Sequence, residues 1–183
     1  MLLCMTRALN WTAEGKIFVH RTKCIATIAA GVLGIFMFGC KWLQVYQEGV
    51  YMRTIVKDGV VLARHIKAID LGQGLNFFSD GSETIQVGTW WYDAGKVLSP
   101  HIHNYIERKV GRTCEVLYLI SGALEVTLYT LEEEFVETIV GEAGDILVML
   151  GCGHGYRILD DKTRVLEVKN GPYPGNDIDR YRF

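Results

Sequence analysis

Two stretches decide how this chain is read. They are Ser99–Gly122, S-P-H-I-H-N-Y-I-E-R-K-V-G-R-T-C-E-V-L-Y-L-I-S-G, and Gly144–Tyr156, G-D-I-L-V-M-L-G-C-G-H-G-Y. His101 and His103 stand two residues apart, so on an extended strand both imidazoles leave the same face. Glu115 opens an apolar run in which Leu117 and Leu119 share its parity, while Val116, Tyr118 and Ile120 make the alternate set equally apolar. That pattern predicts a strand covered on both faces, with Glu115 buried at its head. A buried carboxylate must be paired, protonated or bound to a metal. His154 follows a second apolar run in a glycine-lined turn. Two imidazoles, one carboxylate and a third imidazole converging inside a β-barrel would suit a divalent transition metal.

Working outward, the same alternation recurs from Met52 onward. Arg53–Lys57 and Val60–Arg64 flank Asp58-Gly59, a strong hairpin dipeptide. Further strands are predicted at 75–78, 84–92, 115–120, 123–130, 134–140, 145–150, 155–159 and 164–169, each bounded by Gly, Asp or Ser. About ten short strands with no helical pattern between them predict an all-β fold, an antiparallel sandwich or barrel. After Gly171 the run Pro172-Tyr-Pro-Gly175 leaves the sheet, because proline cannot donate to a ladder. The expected organisation is an N-terminal extension over 1–51, a barrel over 52–171 and a tail over 172–183.

Residues 1–51 differ from the rest. Between Cys24 and Cys40 no residue is charged, and Arg21, Lys23 and Lys41 flank the run. A helix over 24–43 would span roughly the thickness of a hydrocarbon core. Four readings stay open: a membrane-anchoring helix, an uncleaved signal segment, a lipoprotein-like site at Gly39-Cys40, or an extension foreign to the mature fold with Met52 as the true start. The barrel itself is expected in the cytoplasm, tethered to a membrane if the N-terminal segment is native.

Composition excludes some classes. The formal net charge of −2 and the absence of a Lys/Arg cluster offer no face for nucleic acid. Five scattered cysteines without a CxxC pair indicate neither a zinc ribbon nor a disulfide framework, and reduced, mostly buried thiols are expected.

The two opening stretches together resemble the cupin superfamily. Gly95 to His101 with His103, then Glu115 with Gly122, are similar to its first motif; Gly144, Gly151 and His154 are similar to its second. The resemblance spans roughly Met52–Lys169. It implies a jelly-roll barrel, or double-stranded β-helix, holding a divalent metal (Fe, Mn, Ni or Zn) on His101, His103, Glu115 and His154, and it implies a homodimer. The run Pro100–Gly175 also resembles small cupins that accompany surface-polysaccharide and nucleotide-sugar genes. There are departures. The gap from His103 to Glu115 is long, which keeps Glu107 as a reserve ligand, and the second motif lacks its proline and its final asparagine, replaced by Ile158.

The function expected from these residues is a metal-binding cupin acting on or binding a small molecule, such as a sugar or sugar-nucleotide. An isomerase or epimerase would need a base, for which Tyr156, Glu107 and Tyr118 are candidates. An Fe(II) oxygenase would need two open coordination positions. Arg108 and Arg112 on the long loop would take a phosphate or carboxylate of the ligand. The competing class is a ligand-binding or sensory module without turnover.

Overall fold

In this computed structural model the backbone is described for residues 25–29, 32–36, 43–47 and from 50 to the end, and side chains from Met52 onward. The chain divides into two compact units, Met1–Gly39 and Cys40–Phe183. In the first, β1 (Ile25–Ala29) pairs antiparallel with β2 (Val32–Phe36). The described residues of the apolar run are therefore strands where the sequence predicted a helix over 24–43; the rest of the run, up to β3, lies outside the described residues. The physical reason is that an apolar run shows no period that tells helix from strand. Here Ile25, Thr27, Ile28, Val32 and Ile35 are β-branched and Gly34 is a poor helix former. Among the described residues no helix is long and apolar enough to cross a membrane.

The second unit is antiparallel β, as the alternation predicted. Its strands are β3 (Leu43–Gln47), β4 (Val50–Lys57), β5 (Val60–Ile66), β6 (Gly74–Phe77), β7 (Gly88–Trp91) and β8 (Glu115–Ser121). Then come β9 (Ala123–Tyr129), β10 (Phe135–Glu142), β11 (Ile146–Met149), β12 (Gly153–Ile158) and β13 (Arg164–Lys169). A six-stranded sheet runs β13-β8-β11-β5-β4-β3, a three-stranded sheet runs β10-β9-β12, and β6 with β7 forms a ribbon. The boundary expected at 51/52 falls inside β4. At the Asp58-Gly59 hairpin both residues take positive φ, 51° and 80°, as a two-residue turn of the primed kind requires.

The two sheets face each other across one core. Ile55, Leu62, Ala63, Leu117, Leu119, Leu147 and Met149 come from the larger sheet, and Leu124, Val126, Leu128 and Ile139 from the smaller. Gly122 carries the chain from β8 in one sheet to β9 in the other. Its φ is 78°, and a Cβ there would come within 2.9 Å of Thr163 Cα, so only glycine makes this corner without strain. A second apolar cluster, with Phe78, Ile85, Val87 and Cys114 against Ile66, Ile146 and Val148, covers part of the outer face of the large sheet. It does not reach all of β8. Tyr118 and Ile120 are 42 % and 47 % exposed, beside Leu166 and Val168 on β13. The expectation that β8 is covered on both faces is thus corrected: its outward apolar residues lie beyond the segment that shields β11. The tail contains one short helix, α1 (Asn176–Asp179), and returns to the small sheet, where Phe183 stacks edge-on against Tyr129 at 5.2 Å.

Candidate functional site

The inner face of the large sheet begins with Glu115, only 7 % exposed. Lys169 lies directly across from it on β13, by the register that pairs Val168 with Val116 and Leu166 with Tyr118. From the facing sheet, β12 places His154 opposite Leu128 and Tyr156 opposite Val126, so both point the same way as those core residues. Glu115 is where the four side chains meet. Lys169 Nζ donates to Glu115 Oε1 at 2.7 Å, the Tyr156 hydroxyl donates to Oε2 at 2.9 Å, and His154 Nε2 stands 3.0 Å from Oε2. Lys169 also reaches Glu167 at 3.4 Å.

The electrostatics follow from these bonds. Burial alone would raise the Glu115 carboxyl, but the bonds from His154, Lys169 and Tyr156 outweigh it and hold the group well below the usual carboxylate range. The ionised carboxylate in turn raises the Lys169 ammonium. Burial, joined by the charge of Glu115, pushes the Tyr156 phenol far up. The raised phenol keeps its proton and donates it to the carboxylate oxygen. An ionised Glu115 can only accept, so His154 Nε2 carries the proton of their contact. His154 Nδ1 is buried and bonds to nothing among the described residues. That inner nitrogen is a polar atom open to a ligand's hydrogen bond. Cys152, two residues before His154, packs against the inter-sheet core, and burial pushes its thiol up to about 12, so without a bound ion it is a poor nucleophile at neutral pH.

The other residues singled out from sequence lie apart from this cluster. His101 and His103 occupy an exposed stretch without regular structure; their rings meet edge-on at 5.0 Å, and His101 Nδ1 lies 3.3 Å from the Ser99 carbonyl. Glu107 and Arg108 are exposed on the same stretch, as is Arg112, whose carbonyl accepts a bond from Asn170 Nδ2. Tyr118 faces outward, on the side of β8 away from Glu115. Of the four expected metal ligands the fold thus joins Glu115 and His154. Among the described residues no group of three or more His, Cys, Asp or Glu side chains stands close enough to hold a metal ion. With an ammonium on one oxygen of Glu115 and two donors on the other, the residues as placed do not fit a metal centre.

Sequence reasoning did not find Lys169. The signal was there, since a lysine ending the last strand has the parity to meet a carboxylate at the head of its neighbour, but lysine belongs to no metal-ligand pattern. It also did not find a second buried pair. His65 Nε2 and Asp145 Oδ2 are 2.7 Å apart, and Asp145 also accepts from the backbone N–H of Ala68 at 2.9 Å and of Glu142 at 3.1 Å. Burial outweighs the pull of Asp145 and lowers His65. No family model, no curated protein and no solved structure matches this chain.

Proposed function

We propose that this chain is a small-molecule barrel of the cupin kind, in which the ligand engages the Glu115–His154–Tyr156–Lys169 cluster between the two sheets. One observation carries the reading. A buried carboxylate of one sheet holds two inward side chains of the other, and beside it His154 keeps a bare ring nitrogen. Of the five buried side-chain polar atoms without a partner among the described residues, this nitrogen is the one that belongs to the Glu115 cluster. Glu115 acts as the anchor that fixes the orientation of three donors; Lys169 and Tyr156 offer protons to a ligand oxygen, and His154 accepts one. An oxygen-rich ligand such as a sugar or sugar-nucleotide fits donors of this kind, and the exposed Arg108 and Arg112 are available to a phosphate.

The test is a thermal-shift panel of sugars and sugar-nucleotides on the full chain, since a ligand of the folded state raises the melting temperature. A ligand that stabilises the natural chain and loses its effect in Glu115→Gln and Tyr156→Phe supports the reading. A ligand whose shift is unchanged in both variants binds elsewhere and refutes it. Conversion of that ligand on incubation would separate an enzyme from a binding module.

A second reading keeps the divalent metal on His101, His103, Glu115 and His154. It is favoured by the 3.0 Å approach of Glu115 to His154 and by β12, which pairs on one side only. Stoichiometric metal lost in both His101→Ala and His154→Ala would establish it. The same family likeness carries a homodimer, tested by sedimentation at several concentrations.

A further inference from the structure

We infer that Lys169 is the built-in cation of this site, balancing Glu115 so that the cluster is complete without a divalent ion. The inference deepens the ligand-site reading above and rests on it. The strand register sets the Lys169 backbone directly beside Glu115. The residues just beyond are clamped: Cys114 N–H donates to Asn170 Oδ1 at 2.9 Å and Asn170 N–H to the Cys114 carbonyl at 3.3 Å. The pair is also sheltered, with side-chain exposures of 24 % for Lys169 and 9 % for Glu115, so solvent screens it less than a surface pair.

Occupancy makes the same point. A carboxylate offers about four lone-pair sites; Lys169 takes one on Oε1, and Tyr156 and His154 take two on Oε2. A divalent ion approaching Glu115 would have to displace an ammonium 2.7 Å away or sit beside it against like charge. The imidazoles that would have to help it, His101 and His103, are on the exposed stretch.

The experiment uses the full chain and Mn(II) alone, an ion that favours oxygen and nitrogen ligands over thiols. The natural chain, incubated with Mn(II) and desalted, is expected to hold far less than one equivalent by elemental analysis, and chelator should leave its melting temperature unchanged. Lys169→Met and Lys169→Gln free the carboxylate, and each should gain about tenfold or more in Mn(II) affinity. Adding Glu115→Gln should abolish that gain. One equivalent of metal on the natural chain, lost in Glu115→Gln, would overturn the inference, as would Lys169 variants that fold and gain nothing. If both variants fail to fold, the natural chain still decides: a melting temperature that drops by several degrees in chelator overturns the inference. Should a sugar ligand still depend on Glu115 in a chain found to hold metal, the ligand site stands and only the role given to Lys169 fails.

Discussion

Replacing Asp145 by alanine should be among the most damaging single changes to this fold. Asp145 is 3 % exposed and its carboxylate accepts three bonds, from His65 Nε2, Ala68 N–H and Glu142 N–H. Alanine leaves the buried His65 without an acceptor and also removes the acceptor of the backbone N–H groups of Ala68 and Glu142, residues at the exposed edge of the core. Each buried unpaired donor costs about 1–3 kcal/mol. The three share one site and do not add fully, so the expected loss is about 3–5 kcal/mol, or roughly 10–15 °C in melting temperature for a chain of this size. Asp145→Asn should fall between, because it keeps an oxygen for Ala68 while its amide opposes the Glu142 N–H. The assay is urea unfolding followed by far-UV circular dichroism, with Lys57→Ala as control, since Lys57 lies on the surface, 3.6 Å from Asp58. If Asp145→Ala lost less than about 1 kcal/mol, no more than a surface change, the claim that this carboxylate locks β11 to β5 and the following turn would be wrong.

The same pair sets a pH dependence. Burial holds His65 below its ordinary value of 6.5, and Asp145, despite burial, is held below 3.8 by its bonds from His65, Ala68 and Glu142. In both cases the unfolded chain binds the proton first, so stability falls as pH drops: from 6.5 down to the folded value for His65, and from about 4 downward for Asp145. Melting temperatures from pH 8 to 4 should decline below 6.5, and His65→Gln should flatten the upper part of that decline. Gly122→Ala should cost about 2 kcal/mol or more, because a positive φ and the approach to Thr163 add together. Gly59→Ala, with open space around its Cβ, should cost about 1 kcal/mol; equal losses in urea would count against the corner argument. Leu128→Ala, fully buried between the sheets, should lose about 2–5 kcal/mol, measured the same way.

Most of the strands of the second unit were legible because their residues alternate and their turns carry Gly or Asp, and both signals are local. Asp58-Gly59 and Ser121-Gly122-Ala123 needed nothing beyond themselves. The stretch 24–40 was not legible, since a run without charges fits a buried strand and a helix equally well. The site was readable in halves. Glu115 and His154 stood out, one as a carboxylate in an apolar strand and the other as an imidazole among glycines, and the fold joins them at 3.0 Å. What they join was decided by tertiary pairing: Lys169 meets Glu115 only through the β13–β8 register, and Tyr156 only because β12 crosses above β8. His65 and Asp145 are 80 residues apart in sequence and carry no motif, so nothing short of the β11–β5 pairing could connect them.

Two of the buried carboxylates, Asp145 and Glu115, differ in what holds them, and the difference assigns one to the fold and the other to the site. Asp145 is satisfied by one side chain and two backbone N–H groups, partners that cannot leave without undoing a turn. Glu115 is satisfied by side chains alone, drawn from both sheets, with His154 and Lys169 each about a quarter exposed. Such partners can rotate toward a ligand while the strands stay in place. A ligand oxygen that takes a bond from Lys169 or Tyr156 replaces one from Glu115 at little cost, which makes this carboxylate a place of exchange. Tyr156→Phe should therefore lose only about 1 kcal/mol of stability while weakening ligand binding. A loss of stability as large as that of Asp145→Ala would mean that Tyr156 holds the sheets together, and would move Glu115 from the site to the scaffold.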